Sequence, residues 1–226
     1  MFLTGQHHTR TPLSNIKNFA CFLLDGGFGH INKGQKQALK IIINKVEESV
    51  DLANLYLDVS EFEAGKGFLD KKEVYLEKII RDQMKKLAYE AKLKGVKITF
   101  KSDKDLSKIL VDPEKIGLVY YTLLDNAIKY TPQKEGKIIL GLKKTEKETI
   151  LFSCQDNGIG IKKEEISSIA KAAFQRSKEA RSVHGTGKGL ALYLSRLIVE
   201  AHQGELWAES EGLSKGSTFY VELPMK

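Results

Sequence analysis

Two adjacent histidines, His7 and His8, stand near the start of the chain and are followed by Arg10, Thr11 and Pro12. Histidine is scarce in this sequence, with five among 226 residues. A neutral imidazole can act as a nucleophile or carry a proton near neutral pH. On a helix, adjacent side chains diverge by about 100°, which argues against a shared metal ion. The doublet therefore indicates nucleophilic or acid–base chemistry, and an ordinary surface pair is the alternative.

A second group of polar residues lies in the stretch "LLDNAIKY", which follows a helical pattern. Asn126 and Lys129 are three residues apart and share a helix face, and Tyr130 lies beside them. An asparagine oxygen is a neutral ligand for Mg²⁺, and a lysine supplies positive charge for a phosphate. A solvated helix face is the alternative.

Two glycine motifs follow. In "DNGIGI", Asp156 comes directly after a predicted strand, where its carboxylate can accept a hydrogen bond from an amino group while the glycines admit a flat ligand. "GTGKGL" stands at a predicted helix start, where free N–H groups favour phosphate. It does not match the Walker phosphate loop. Each motif alone is weak, because Asp-Asn-Gly is also an ordinary turn.

The elements that must position these residues fall into two regions. Apolar periodicity predicts helices at about Leu3–Leu24 and Gln35–Phe62, separated by the glycine-rich "DGGFGHINKG". Each helix has a wide apolar stripe that one hairpin cannot bury. Two hairpins paired as a four-helix bundle would bury both stripes, so we expect a homodimer.

After the linker "EAGKGFLDKKE" the pattern changes to mixed helix and strand. We predict a helix over Val74–Lys94 and another that is capped by Asp112 with Pro113 in its first turn. A last helix is predicted from Leu190 to His202. The predicted strands are "VKITF", "KIILGLKK", "TILFSCQD", "GELWAES" and "STFYVEL". Together they predict an α+β chain: a helical hairpin at residues 1–66 and an α/β sandwich at residues 72–226.

Composition excludes several classes of protein. Residues 1–68 carry equal numbers of acidic and basic side chains, so the net charge of +7 belongs to the rest of the chain. Its lysines are scattered among acids without aromatic interleaving, which disfavours nucleic acid and suits a polyphosphate ligand. The apolar runs fall short of the roughly 18 residues that span a bilayer, and the start lacks the pattern of a secretory signal. The two cysteines, Cys21 and Cys154, indicate reduced thiols.

The order of these motifs, completed by "KGSTF", resembles the Bergerat-type ATPase domain shared by sensor kinases, gyrases, mismatch-repair ATPases and large heat-shock chaperones. The resemblance spans about Lys72–Leu223. "HHTRTPL" resembles the phosphoacceptor box of bacterial sensor histidine kinases, usually His-Glu/Asp-Leu-Arg-Thr-Pro-Leu. The chain thus resembles the catalytic core of such a kinase, a dimerising phosphoacceptor hairpin followed by a Bergerat-type ATP-binding domain.

The resemblance implies a nucleotide site for ATP and Mg²⁺. Asn126 would be the magnesium ligand, and Asp156 would bind the adenine amino group with help from Thr218. The remaining implied contacts of the nucleotide and its lid are Lys129, Tyr130, Gly158, Gly160, Phe174, Arg176, Gly185, Gly187, Gly189 and Leu190.

Two arguments favour His7 over His8 as the phosphoacceptor. In the family box the arginine follows the phosphoacceptor by three residues, as Arg10 follows His7. Independently, helical phase places His7 nearly opposite the apolar stripe and His8 on its flank, provided that Pro12 does not rotate the helix. Thr11 matches the family's polar residue implicated in dephosphorylation, so phosphatase activity stays open.

The sequence departs from the family at two positions. His8 replaces the acidic residue beside the phosphoacceptor, and it cannot attract an imidazolium as a carboxylate does. Thr122 stands four residues before Asn126, where the ATP-hydrolysing relatives carry a glutamate that activates water. Threonine cannot act as a base near neutral pH, which speaks against a water-splitting ATPase.

We therefore predict an ATP-dependent histidine autokinase of a two-component system that passes the phosphoryl group from His7 to an aspartate of a response-regulator receiver domain. The alternatives are a degenerate kinase that acts as a nucleotide-binding scaffold, and a Bergerat-type ATPase or serine kinase. We expect a cytoplasmic protein or the cytoplasmic portion of a membrane-anchored sensor, with membrane contact only through a region outside this chain.

Overall fold

The computed structural model describes residues 4–104, 106–169, 171 and 189–225, without the side chains of residues 4–10. The chain divides into two compact units, Met1–Glu61 and Phe62–Lys226. The predicted helical hairpin ended at residue 66, five residues after the end of the first unit. Gly67 lies directly against the Phe62 ring, where an added Cβ would sit 2.5 Å from Cδ1, so the segment after the second helix folds back on its end.

The first unit is formed by two long helices, α1 (Thr4–Leu24) and α2 (Lys33–Glu63), and the last two residues of α2 belong to the second unit. Both predicted helices are confirmed, and α1 continues through Pro12. Asn32 begins α2 with a reciprocal pair of hydrogen bonds: its Oδ1 accepts from the Gln35 N–H at 2.9 Å, and Gln35 Oε1 accepts from the Asn32 N–H at 2.8 Å. This capping box satisfies two backbone donors that the helix cannot satisfy internally.

The second unit contains a five-stranded sheet in the order β2-β4-β5-β7-β6 and a two-stranded sheet of β1 and β3. In the large sheet, β2 and β4 are parallel and the other neighbours are antiparallel. The strands are β1 (Lys72–Val74), β2 (Lys97–Ser102), β3 (Ile109–Val111), β4 (Lys137–Lys144), β5 (Thr149–Asp156), β6 (Glu205–Glu209) and β7 (Ser217–Pro224). The described helices are α3 (Leu76–Lys86), α4 (Ala88–Lys94), α5 (Pro113–Tyr130), α6 (Lys163–Ile166) and α7 (Ala191–Ala201).

One face of the large sheet carries the core. Alternate residues along the strands are buried, as in Ile150, Phe152 and Cys154 of β5, because successive side chains in a strand point to opposite faces. The helices α5 and α7 cover this face with Leu123 and Ile198, which are fully buried. Burying an apolar side chain of this size stabilises the fold by about 1.5–3 kcal/mol. The predicted α/β sandwich is therefore confirmed: a layer of helices packs on one face of the sheet.

The start of α5 has the predicted cap. Asp112 Oδ1 accepts hydrogen bonds from the backbone N–H groups of Glu114 and Lys115, both at 3.0 Å, and Pro113 occupies the first turn. The second carboxylate oxygen accepts from the Asp70 N–H at 2.9 Å. One aspartate therefore satisfies three backbone donors, two in the helix and one in the linker segment before β1.

Two features differ from the sequence prediction. The helix expected over Val74–Lys94 is interrupted at Leu87, whose backbone leaves helical geometry while its side chain stays 2% exposed. The paired strands β1 and β3 were not predicted, since three residues are too few to show an alternating pattern.

A buried histidine, His202, fixes the end of α7 to the start of α5. Its Nε2 accepts a hydrogen bond from the Asp112 N–H at 2.9 Å, and its Nδ1 donates to the Ile198 carbonyl at 2.8 Å. Because Nε2 acts as an acceptor, the ring is neutral with its proton on Nδ1. Burial lowers the pKa of His202; the hydrogen bond to the Ile198 carbonyl opposes that shift, Lys71 adds to it, and Asp112 opposes it.

We predict that this histidine makes the second unit sensitive to acid. The pKa of His202 lies below the ordinary 6.5 in the folded protein. The unfolded chain then binds a proton more readily, so this contribution is complete above 6.5 and is lost as the pH falls toward the folded-state pKa. Urea unfolding followed by the fluorescence of Trp207, the only tryptophan, should show the free energy of unfolding falling below pH 6.5.

His202→Leu should remove this pH dependence and lower the free energy of unfolding at neutral pH by about 1–3 kcal/mol, because the Asp112 N–H loses its acceptor. The exposed His30 provides the control, and His30→Leu should leave the pH dependence of wild type intact. Equal acid sensitivity in wild type and His202→Leu would contradict the assignment.

Candidate nucleotide-binding site

A buried carboxylate lies at the end of β5. Asp156 is 7% exposed, and both of its oxygens accept hydrogen bonds. Oδ1 accepts from the Gly158 N–H at 2.7 Å, and Oδ2 accepts from the Ser217 hydroxyl at 2.6 Å. Burial raises the pKa of Asp156, and these two hydrogen bonds oppose that shift. Each carboxylate oxygen has a further lone pair, so Asp156 can still accept from a ligand amino group.

The glycines of the "DNGIGI" motif allow close backbone packing. A Cβ on Gly158 would lie 2.5 Å from the Tyr130 carbonyl oxygen and 2.6 Å from Asp156 Oδ1. Gly160 has φ +70°, and a Cβ there would lie 2.0 Å from the Gly212 carbonyl oxygen. The sequence predicted room for a flat ligand. The structure shows a second reason why glycine is needed at these positions. Without side chains, the loop can pack against the end of α5 and against the turn before β7.

The predicted helix face lies on the last turns of α5. The side chains of Asn126 and Tyr130, one turn apart, are half-buried. Lys129 forms an ion pair with Asp125 one turn earlier. Thr122 is 5% exposed, so it is a core residue of the helix and does not present a hydroxyl to bulk water.

The carbonyl end of α5 joins these parts together. Its last four carbonyls have no partners inside the helix and must find them elsewhere. Ala127 accepts from the Thr131 N–H at 3.1 Å, and Tyr130 accepts from the Ile159 N–H at 3.1 Å. The Lys94 ammonium donates to the Ile128 and Lys129 carbonyls, both at 2.6 Å. All four are thereby satisfied, and the glycine motif is fastened to the helix that carries Asn126.

Lys94 was missed by the sequence analysis. It lies more than 30 residues before its partners, in a segment rich in lysine, and no local pattern distinguishes it from its neighbours. The only available signal was Gly95, which ends α4 in a left-handed conformation and so fixes where the residue before it lies.

One predicted site residue is wrong. Thr218 was expected to assist Asp156, but Asp156 pairs with Ser217 across β5 and β7, and Thr218 pairs with Gln155. Since strand residues alternate between faces, Thr218 lies on the face opposite to Asp156. Ser217 supplies the hydroxyl. The predicted residue is one position away from the observed one, and in a strand a shift of one residue moves the side chain to the other face of the sheet.

Several predicted residues fall outside the described part of the chain: Phe174, Arg176, Gly185 and Gly187, together with the side chains of His7 and His8. The backbones of both histidines lie in α1, and Thr11 lies exposed on the same helix. Gly189 and Leu190 come immediately before α7. The Leu190 side chain is 1% exposed and belongs to the core, so any ligand contact at this residue would use its backbone.

An open cavity of about 970 Å³ lies beside this arrangement, between the end of α4, the end of α5 and the glycine motif. It includes the predicted residues Lys129, Tyr130 and Gly158, and its other walls include Leu93 and Ile159. Asp156 and Asn126 are not among its lining residues, so the cavity adjoins only part of the predicted nucleotide site.

The donor chemistry fits a magnesium ion that arrives with a polyphosphate. Mg²⁺ in nucleotide sites takes few protein ligands and keeps phosphate oxygens and waters. Asn126, which is half-buried on α5, offers one neutral oxygen. Among the residues that the structure describes, no cluster of three or more His, Cys, Asp or Glu side chains is placed to hold a metal.

Within the described ranges, no helix combines the length and the apolar character needed to cross a membrane.

The comparisons with known proteins agree with this geometry. The family model of histidine kinase-, DNA gyrase B- and HSP90-like ATPases matches residues 111–226. The circadian input-output histidine kinase CikA of Synechococcus elongatus is 30% identical over 98% of this chain and 29% of its own length. The sensor histidine kinase WalK of Bacillus subtilis is 28% identical over 97% of this chain and 35% of its own length. The chain thus spans about a third of each of these relatives.

Two solved structures share the fold. Full-length ShkA in complex with AMPPNP superposes with a TM-score of 0.84 over 98% of this chain and 45% of its own, at 23% identity. The histidine kinase ThkA in complex with the response regulator TrrA gives 0.63 over 99% of this chain and 63% of its own, at 20% identity. Because the family model covers more than half of its residues, the chain belongs to the histidine kinase-, DNA gyrase B- and HSP90-like ATPases.

Proposed function

We propose that the second unit binds Mg-ATP and that the chain transfers the terminal phosphoryl group to His7. The observation that carries the nucleotide part is Asp156, a buried carboxylate held by Gly158 and Ser217 beside the end of α5. Such an acceptor suits the amino group of adenine. The complex of ShkA with AMPPNP and the histidine kinases that match along nearly the whole chain support this choice of ligand.

The residues have separate roles in this proposal. Asp156 binds the adenine amino group, and Asn126 and Lys129 act on the phosphate side. When bound with the nucleotide, Mg²⁺ would reduce the charge on the phosphates. The neutral His7 imidazole attacks the terminal phosphorus in line, the bond to the bridging oxygen breaks, and ADP leaves. The imidazole proton goes to His8 or to water.

The phosphoryl group would then pass to an aspartate of a response-regulator receiver domain. The kinase ThkA is solved with a response regulator, which supports a partner of this class for a related fold. Thr11, exposed on α1 one turn after His7, is the candidate for assisting dephosphorylation of the receiver, in which water takes the phosphoryl group from the aspartate.

A nucleotide-binding scaffold without transfer is the second candidate, and one observation favours it. His8 replaces an acidic residue of the phosphoacceptor box, so the attacking imidazole lacks a neighbouring carboxylate. An ATPase that uses water is disfavoured, because Thr122 stands where such an enzyme needs a base and is buried in α5.

The helical hairpin would associate with a second copy of itself. Several of its large apolar side chains are more than 40% exposed, including Ile16, Phe19 and Ile42. Among its described residues only Ala20, Val46 and Val59 are buried. A hairpin with so much apolar surface can bury it in a four-helix bundle.

The first prediction tests the adenine acceptor with matched variants. Ser217→Ala should weaken the binding of Mg-ADP by roughly five- to tenfold, because Asp156 loses a charge-assisted hydrogen bond. Asp156→Asn should weaken it by about 10- to 100-fold, because an amide N–H₂ replaces an acceptor. Calorimetry measures both. Thr218→Ala, on the opposite face of the same strand, is the control and should bind as wild type does; a loss there with none in Ser217→Ala would reverse the assignment.

The second prediction concerns the histidine. With radiolabelled ATP, His7→Gln should abolish incorporation while Mg-ADP binding is unchanged, because the nucleophile alone is removed. His8→Gln should reduce incorporation without abolishing it. The label should be lost in acid, as expected for phosphohistidine and not for phosphoserine. Incorporation that survives in His7→Gln and disappears in His8→Gln would make His8 the acceptor, and no label in wild type would favour the scaffold.

The third prediction concerns the dimer. Light scattering should give twice the chain mass, with dissociation on dilution. Ile16→Asp should shift the protein to monomer, because a buried charge has no partner in the bundle. Phe68, which is 82% exposed in the linker, gives the control, and Phe68→Asp should remain dimeric. A wild-type monomer at all concentrations would exclude the bundle, and unchanged helicity by circular dichroism shows that Ile16→Asp remains folded.

A further inference from the structure

Lys94 is held at its backbone by the segment that follows α5 and at its side chain by the last turn of α5. Its backbone carbonyl accepts a hydrogen bond from the Lys134 N–H at 3.0 Å, and its ammonium donates to the Ile128 and Lys129 carbonyls at 2.6 Å each. Gly95 packs against the Lys134 backbone with φ +70°, where a Cβ would come within 3.1 Å of the Lys134 Cα. These contacts fix the position of the Lys94 backbone and the position of its ammonium group.

The ammonium lies at the place where a cation is favourable. Carbonyls at the end of a helix carry partial negative charge, and a charge-assisted hydrogen bond to them is stronger than a neutral one. Three other charged residues line the same cavity as Lys94: Glu90 on its own helix, and Asp125 and Lys129 on α5. Burial lowers the pKa of Lys94, so it loses its charge more readily than an exposed lysine.

The contacts continue from Lys94 to the adenine acceptor. The turn that it holds contains Lys129 and is followed by Tyr130, whose carbonyl accepts from the Ile159 N–H at 3.1 Å. Ile159 is joined to Gly158, whose N–H holds Asp156 Oδ1 at 2.7 Å. A shift in the last turn of α5 would therefore displace the phosphate-side lysine and the loop that orients the carboxylate together.

We infer that Lys94 is a positioning residue of the nucleotide site, which acts through the carbonyl end of α5 and without contact to the nucleotide. The inference rests on the proposed binding of ATP. It assigns to α4, which carries none of the residues implied by the family resemblance, the task of keeping Lys129, Tyr130 and the Gly158 loop in one arrangement.

The test compares three variants of the full chain by calorimetry with Mg-ADP. Lys94→Met keeps the length and the apolar stem but removes the charge, and it should weaken binding by roughly tenfold, a size typical of coupling between sites. Lys94→Arg keeps a charged donor and should restore most of the affinity. Lys92→Met removes an exposed lysine from the same helix and should change nothing.

Two further measurements separate positioning from general stability. In Lys94→Met, amide hydrogen exchange should accelerate at Thr131 and Ile159, whose N–H groups bond to the end of α5, but not in the centre of β5. As the pH rises toward 10.5, the ordinary pKa of lysine, the affinity of wild type should fall more than that of Lys94→Arg, because a guanidinium stays charged.

The outcomes distinguish the two levels of the proposal. If wild type does not bind Mg-ADP, the proposed function fails. If wild type binds and Lys94→Met binds equally well with unchanged exchange at Ile159, the positioning inference fails alone. If exchange accelerates throughout the sheet and arginine does not restore binding, Lys94 is a stabilising residue only, and the inference is overturned.

Discussion

The arrangement of the second unit depends on satisfying the carbonyl end of α5. A buried carbonyl without a partner costs free energy comparable to a lost hydrogen bond, so the chain must bring donors to this point. They come from three places in the sequence: Lys94 at the end of α4, Thr131 in the following loop, and Ile159 in the glycine motif. These hydrogen bonds bring α4, the loop after α5 and the glycine motif together at one end of the helix.

The other end of α5 is fixed as firmly. Asp112 caps the helix and accepts from the Asp70 N–H, and its own N–H donates to His202, the residue that ends α7. The helix is therefore held by the linker and α7 at its start, and by α4 and the glycine motif at its end. A helix constrained at both ends can present Asn126, Lys129 and Tyr130 without rearrangement, and binding then costs less conformational entropy.

Much of this architecture could be predicted from local sequence patterns, whereas the features that were missed depend on contacts between residues far apart in the sequence. The strands β4 and β5 show clear alternation, and Asp112 with Pro113 is a strong helix start, so both were predicted correctly. The hydroxyl that binds Asp156 shows the limit of sequence-based prediction, because Thr218 was predicted and Ser217 is observed. Either hydroxyl could donate this hydrogen bond, and only the strand register, which pairs Ser217 with Asp156, decides between them. Lys94 and His202 could not be predicted, since their partners lie 34 and 90 residues away in the sequence.

The surroundings of α5 also bear on where a phosphoryl group would go. Activating water needs a base that is both close to the nucleotide and not already engaged. One turn before Asn126, Thr122 is a buried hydroxyl, and the Asp125 carboxylate is paired with Lys129. Neither suits that role, whereas a neutral imidazole attacks without an external base because its own nitrogen lone pair is the nucleophile. The proposed acceptor, His7, is thus consistent with a site built to hold a nucleotide and to leave the nucleophile to another part of the protein.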